Sequence, residues 1–418
     1  MPSSGRFLTM DDYDLSNKSV YLRVDVNSPI NPMTGEIMDV SRFVSHLDTL
    51  HELVDSKVVI VGHQSRPGNE DFTSFRLHAG QLERLLNRPV KYVDSLFNSE
   101  VRRSIRNMEN GEIIMLENSR FFSEEIVIDP SDIQAMESTH IVRELGPLFD
   151  YFVIDAFPAI HRAQTTLVGF KRIKPNLAGR LVEREVTMLD RLREGNEHPK
   201  VAILAGSKIS DSISVSEHFL GKSIVDSILV GGVVANAFLW ASGKNIGKRN
   251  EELIIKNNKN YKELLEKCKK LLAGFKNKII MPVDFVLNPS NNLIEADAKI
   301  PDTDLLADIG LETASLFKEI ISKSKAVFVN GPMGMYEIEN YSFGTREILE
   351  TVASSNALTI AGGGHTISAL EKLGLKRKFS HVSTGGGALI SYLSGEPMPV
   401  LESLAESKKL FGGKSHGK

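Results

Sequence analysis

One cysteine, Cys268, stands in 418 residues, which excludes an intrachain disulfide and a cysteine zinc site and fits a reducing compartment. No uninterrupted apolar run approaches the roughly 20 residues that a membrane-spanning helix needs, so no membrane partner is expected. The N-terminal stretch MPSSGRFLTMDDYDLSNK has no apolar core of the secretory type, and the expected location is cytoplasmic. Neither sign of charge dominates. A net charge of −3 gives no global pull towards nucleic acid, and any anion site has to be a local cluster. Two phosphate-binding signatures are also missing. There is no GxxxxGK[ST] loop, and no GxGxxG opens the first helix with an acidic residue about twenty positions on, which argues against a dinucleotide dehydrogenase. Solenoid repeats and low-complexity tracts are absent as well.

The length suggests two or three domains. Short β-type runs alternate with helical patterns, the signature of α/β folds with parallel sheets. YLRVDV (21–26), KVVIVG (57–62), VKYVD (90–94), EIIMLE (112–117) and YFVIDA (151–156) lie in the first half. KVAILAG (200–206), SILVGG (227–232), KIIMPVDF (278–285), AVFVNG (326–331) and LTIAGGG (358–364) lie in the second. Helical patterns are read at Arg42–Leu53, Leu77–Leu86, Glu251–Leu272, Asp304–Ser322 and Arg346–Ser354. The stretch Asn176–Leu192 places Ala178, Leu181, Val182, Val186, Leu189 and Leu192 on one helical face, with Glu185 as a charged misfit inside that apolar stripe. It reads as a hinge helix (176–192) joining two lobes, 1–175 and 193–399. The segment 400–418, which ends in a basic Gly-rich tail expected to be mobile, returns to the first lobe.

In open parallel sheets, ligands sit beyond the carboxyl ends of the strands. In the first half those ends carry Arg23-Val-Asp25-Val-Asn27, His63-Gln-Ser-Arg66, Asn118-Ser-Arg120 and His161-Arg162, and Arg42 opens the helix after the first loop. Five arginines and two histidines at one rim suit a small substrate carrying both phosphate and carboxylate, because guanidinium binds both in bidentate fashion. In the second half the strand ends carry Gly206-Ser-Lys208, Gly231-Gly232, Asn330-Gly331 with Glu337 beyond, Gly362-Gly363-Gly364-His365-Thr366 and Gly385-Gly386-Gly387. Glycine turns leading into helices let backbone N–H groups approach phosphate closely.

These motifs resemble those of phosphoglycerate kinase. RVDVNSP is similar to the family's RVDFNVP, HQSRP to HLGRP, ENSRF to ENLRF, AFPAIHRA to AFGTAHRA and GSKISDS to GAKVSDK. NGPMGMYE, GGGHTISALEKLGL and SHVSTGGGA also have counterparts, in the family's order, across about Val20 to Leu401. The resemblance implies two Rossmann-like lobes, each a parallel sheet covered by helices. It also implies the reversible reaction of glycolysis and gluconeogenesis, 1,3-bisphosphoglycerate + ADP = 3-phosphoglycerate + ATP, with Mg²⁺ accompanying ATP or ADP. It assigns Asp25, Asn27, Arg42, His63, Arg66, Arg120 and Arg162 to 3-phosphoglycerate, with Arg23 and His161 in support. It assigns Gly206, Lys208, Gly231, Gly232, Asn330, Glu337, Gly362, Gly363, Gly364 and Thr366 to the nucleotide.

Arg42 and Lys208 are expected to act on the transferring phosphoryl group, and Glu185 is expected to pair with His381 at the hinge. Family members are monomers or homodimers. Two departures resemble the archaeal branch. His365 replaces the family's metal-binding Asp, so the metal would be carried by nucleotide phosphates. Ser212 replaces a second phosphate-contacting lysine. They leave one alternative open, a catalytically impaired descendant that binds nucleotide or phosphoglycerate.

Overall fold

The computed structural model describes residues 5–413 and divides into two compact units. One runs to Thr187 and resumes at Pro397; the other spans Met188–Glu396.

The first unit is built on seven strands: β1 (Leu8–Thr9), β2 (Ser19–Arg23), β3 (Lys57–Val61), β4 (Lys91–Val93), β5 (Ile113–Leu116), β6 (Tyr151–Ile154) and β7 (Asn176–Ala178). They lie in the order β1-β7-β6-β2-β3-β5-β4, and every pairing is parallel. Val20, Leu22, Val58, Ile60 and Met115 are buried on one face, and Tyr21, Val59, Ile114 and Phe152 on the other, as strands covered on both faces should be. The helix Pro399–Phe411 packs on β1 and β7. Its Ser407 Oγ accepts the Asn176 N–H at 2.8 Å, and its Glu406 pairs with Lys171 at 2.7 Å. Residues 414–418, where the tail was expected to be mobile, lie outside the described residues.

The second unit carries β8 (Lys200–Leu204), β9 (Ser227–Val230), β10 (Ile279–Ile280), β11 (Asp284–Asn288), β12 (Leu293–Glu295), β13 (Leu305–Ile309), β14 (Ala326–Asn330), β15 (Leu358–Gly362) and β16 (His381–Val382). Six form a parallel sheet in the order β10-β9-β8-β14-β15-β16, and β12-β11-β13 form a small antiparallel sheet. Both units are therefore parallel sheets covered by helices, the expected fold class.

Several boundaries differ from the sequence reading. Asn176–Ala178 is strand, not the start of the long helix, which spans Arg180–Glu194. The break falls at Gly179, where an added Cβ would lie 2.2 Å from Asp155 Oδ1. Asp304–Ser322 is also not one helix. Leu305–Ile309 pairs with β11, and the helix Leu311–Ser322 starts only after Gly310, with Asp284 accepting the Glu312 and Thr313 N–H groups at 3.1 and 2.8 Å. Glu251–Leu272 divides into Lys248–Asn257 and Tyr261–Gly274, because Asn258 turns its side chain back to the Ile254 carbonyl. Arg42–Leu53 divides into Ser41–Val44 and Leu47–Glu52.

No helix among the described residues is long and apolar enough to cross a membrane. Cys268 is fully buried, and burial followed by the charge of Glu217 pushes its thiol up to about 12. A thiolate-directed reagent should therefore leave the native protein untouched at mildly alkaline pH and label it only on unfolding. Native labelling followed by mass spectrometry checks this.

Candidate active site

The first unit brings the arginine-rich strand ends into one network. β2 ends at Arg23, and the chain continues extended, with Val24 and Val26 buried in the core and the polar residues between and beyond them on the other side. Asp25 pairs with Arg42 at 3.0 Å and accepts the Asn27 N–H at 3.0 Å. Asn27 in turn accepts the Ser65 N–H at 2.8 Å, and the Ser65 carbonyl accepts from Arg120. Arg23 lies wholly buried beneath. Its Nη2 is 3.1 Å from His63 Nδ1, its Nε donates to Thr166 Oγ1 at 2.9 Å, and Glu125 is its carboxylate partner at 3.8 Å. Arg162 reaches His63 Nε2 at 3.5 Å and His161 Nε2 at 3.3 Å. Arg66, Arg120, His161 and Arg162 line a cavity of about 790 Å³, together with Glu125, Gln164 and an apolar side made by Ile126, Ile128 and Pro130.

The electrostatics of this basket are those of crowded like charges. Burial lowers Arg120 to about 10, and the like charges of Arg162, Arg23 and Arg66 add to it. Arg162 is lowered too, first by burial. His63 is held well below its ordinary value by burial, with Arg23, Arg120 and Arg162 acting in the same sense against Asp25, so it is neutral at pH 7. Burial pushes Asp25 upward, but His63, Arg42, the Asn27 N–H and Arg23 outweigh it and leave the carboxyl at about 2. Because His63 is itself neutral, Arg42 and Arg23 are the charges that act on Asp25 at neutral pH.

A second layer of polar residues, not singled out from the sequence, holds the basket up. Gln64 Nε2 donates to the Ser28 carbonyl at 3.0 Å, and Asn118 bridges the Gln64 and Thr73 carbonyls at 2.9 Å each. Glu125 accepts from Ser119 Oγ at 3.1 Å and from Thr166 N at 2.9 Å. The sequence signal for Glu125 was present, an acid close behind ENSRF in a region otherwise rich in arginine.

His78 supports Gln64 from below, with Nε2 3.1 Å from Oε1, and burial lowers it from 6.5 to about 4. The unfolded chain therefore takes up a proton that the native chain refuses. Stability present above pH 6.5 is lost as pH falls towards about 4, by about 3 kcal/mol in all. Urea unfolding across this window should show that slope, to which the buried, neutral His63 adds in the same sense, and His78→Gln should reduce it.

In the second unit the glycine loops surround a pocket of about 300 Å³. Gly206, Lys208, Asn330, Gly363, Gly364 and Thr366 line it, and so do Ser207, Asp211, His365, Gly386 and Gly387. The helices Ile209–Gly221 and Gly364–Lys372 both begin at this pocket and aim their free N–H groups and positive dipole ends at it. Gly363 has φ +84°, and a Cβ there would stand 2.5 Å from Asn330 Oδ1. Thr366 already uses its hydroxyl to accept the Gly331 N–H at 2.7 Å, so it acts by joining two loops.

Three of the expected nucleotide glycines do not line the pocket. Gly231 and Gly232 pack against Met333 and the Gly206 loop, where a Cβ on Gly232 would lie 2.8 Å from Gly206 N, and Gly362 packs on Leu389. Glu337 also lies outside the lining, but its carboxylate is 3.6 Å from His365 Nδ1. Ser212 is buried in its helix rather than turned to the pocket. Glu185 and His381 are both buried; Glu185 belongs to the first unit and His381 to the second.

A family model described as phosphoglycerate kinase matches residues 10–396. The chain belongs to the phosphoglycerate kinase family. A phosphoglycerate kinase of Thermoplasma acidophilum is 62% identical over 407 residues, covering 97% of this chain and 99% of that one. One from Methanothermus fervidus is 45% identical over 410 residues, covering 97% and 98%. The crystal structure of phosphoglycerate kinase from Pyrococcus horikoshii superposes with a TM-score of 0.87 at 37% identity, over 97% of this chain and 100% of that one. These three phosphoglycerate kinases come from archaea, the branch that His365 and Ser212 resemble.

Proposed function

We propose that the chain catalyses the reversible transfer of a phosphoryl group between ATP and the carboxylate of 3-phosphoglycerate. The observation that carries this reading is the basket itself. Arg66, Arg120, Arg162 and His161 converge on one cavity with Arg42 and Asp25 in the same network, in a chain whose family is phosphoglycerate kinase. A substrate with a phosphate at one end and a carboxylate at the other meets both charge requirements of such a basket. The nucleotide goes to the pocket of the second unit, phosphates towards Lys208 and the two helix starts, with Glu337 reaching the ribose.

The attacking carboxylate is already ionised at neutral pH, so the reaction needs no general base. What the chain supplies is position and charge. Asp25, Asn27, His63, Arg66, Arg120 and Arg162 hold the acceptor. Arg42 and Lys208 neutralise the charge on the transferring group, and the backbone N–H groups after Gly363 and Gly386 add donors. In-line transfer requires the two bound substrates to meet, so the reading includes bending of the helix Arg180–Glu194 within 184–187, with Glu185 pairing to His381.

Mg²⁺ enters with the nucleotide and offsets phosphate charge. The pocket offers the Asp211 carboxylate and the Asn330 amide, and no cluster of three or more acidic, His or Cys ligands occurs among the described residues. That donor set suits a metal delivered on phosphate oxygens rather than one resident on the chain.

A coupled assay with 3-phosphoglycerate and Mg-ATP tests the reading. Turnover supports it. Nucleotide binding without turnover overturns it in favour of an impaired binding protein.

A further inference from the structure

The buried pair His46–Asp155 lies in the first unit and belongs to neither substrate subsite. Both residues are fully buried. His46 Nδ1 faces Asp155 Oδ2 at 2.8 Å, and its Nε2 lies 3.1 Å from both the N and the O of the Asp25 peptide. With Nδ1 protonated towards the carboxylate, Nε2 accepts the Asp25 N–H. The other oxygen of Asp155 accepts the Leu181 N–H at 2.8 Å, in the first turn of the helix Arg180–Glu194. The neighbouring orphan donor of that turn, Arg180 N–H, goes to Thr49 Oγ1 at 2.9 Å, one helical turn beyond His46. Gly179 has no side chain with which to cap this helix, and its first two N–H groups go instead to Thr49, in the segment after Arg42, and to Asp155, just past β6. Gly179 makes the approach feasible, since a side chain there would occupy the space of the carboxylate.

We infer that His46 and Asp155 are positioning residues that carry occupancy of the acceptor subsite to the N-terminus of the long helix. The path is short: the partly exposed Arg42 to Asp25, then close buried polar contacts from the Asp25 N–H to His46, His46 to Asp155, and Asp155 to Leu181 N–H. A ligand that draws Arg42 or Asp25 moves the Asp25 peptide, and the imidazole has no slack in which to absorb the shift, because both its nitrogens are engaged inside close-packed surroundings. A salt bridge retained only for stability would not need to join these two places. The inference rests on the proposed role of Arg42 and Asp25 in holding 3-phosphoglycerate.

Asp155→Asn keeps an oxygen for the Leu181 N–H and removes the charge that orients His46. His46→Asn is the second variant, should the first fold poorly. In the parent, saturating 3-phosphoglycerate should slow amide exchange across 180–184 by about fivefold. In the variants the ligand should bind within about twofold of the parent while that slowing disappears, and kcat should fall about tenfold at unchanged KM. The inference is overturned if ligand-dependent protection persists in both variants. It is overturned equally if affinity, kcat and thermal stability fall in step, as for a plain scaffold role. A parent that binds 3-phosphoglycerate but does not turn over would sink the kinase reading instead, and the exchange measurement would still decide the coupling.

Discussion

Replacing Lys208 by alanine should lower kcat by about 10³-fold, some 4 kcal/mol of transition-state stabilisation, with the KM for 3-phosphoglycerate little changed. The size follows from how little positive charge the nucleotide pocket owns. Lys208 and His365 are the lining side chains able to carry it; the other contributions are backbone N–H groups and small polar side chains. His365 is two-thirds exposed and shares its position with Glu337, which blunts its charge. The family's second lysine is here Ser212, buried in its own helix, so nothing stands in reserve behind Lys208. Arg42→Ala should produce a loss of the same order from the other unit. There the variant also strips Asp25 of its 3.0 Å partner, so the KM for 3-phosphoglycerate should rise with the loss of kcat. The contrast between the two KM values separates a residue that meets only the transferring group from one that also shapes the acceptor site. A drop of less than tenfold for Lys208→Ala in the coupled assay would remove it from the catalytic role.

The second large effect is on stability. Glu125→Ala should destabilise the first unit by about 3–5 kcal/mol. Arg23 is entirely buried, and Glu125 is its carboxylate neighbour. The same carboxylate receives Ser119 Oγ, Thr166 N and Thr166 Oγ1, so truncation leaves a buried guanidinium without its carboxylate neighbour and three donors without that acceptor. Glu125→Gln should cost less, because the amide oxygen still accepts while only the charge is lost. Urea unfolding followed by a probe within the first unit measures both. The arginines of the basket should feel the change as well. Glu125 is among the groups that support the charged form of Arg120, and without it the basket repels itself more strongly. Added inorganic phosphate should therefore recover part of the stability lost in Glu125→Ala.

Much of the site was legible because its chemistry sits on short contiguous motifs at strand ends. RVDVN puts polar residues on a face where a doubly covered strand should be apolar, and HQSR, NSR and HR follow strand ends; the structure gathers Arg23, Asp25, Asn27, Arg42, His63, Arg120, His161 and Arg162 into one network. The pairings of the supporting layer were not legible, although Gln64 and Asn118 lie inside those motifs and Glu125 close behind one. His46–Asp155, Gln64–Asn118 and Glu125–Thr166 join positions 109, 54 and 41 apart, and spacing along the chain carries no trace of such pairings. Two of the misplaced elements share one cause. Leu305–Ile309 and Asn176–Ala178 have apolar spacings that suit a helix as well as a strand, and the decision is made by tertiary partners, Asp284 and Asp155, which hold the glycines that begin the true helices. Gly231 and Gly232 show the converse. A glycine pair at a strand end reads as a phosphate loop, yet here it lets two loop backbones pass closely.

The return of the helix Pro399–Phe411 to the first unit has a consequence for biosynthesis. Tyr13 donates to the Phe411 carbonyl at 3.1 Å, and Lys408 reaches the Gly5 carbonyl at 3.3 Å, so the two ends of the described chain meet on the same sheet edge. A ribosome releases that helix only after the whole of the second unit. The unit translated first must therefore wait, with β1 and β7 uncovered, while the whole of the second is made and folded. The unit begun later is the one that can finish first. The same meeting of ends marks this edge as the place where the polypeptide could be joined and reopened elsewhere without altering either sheet.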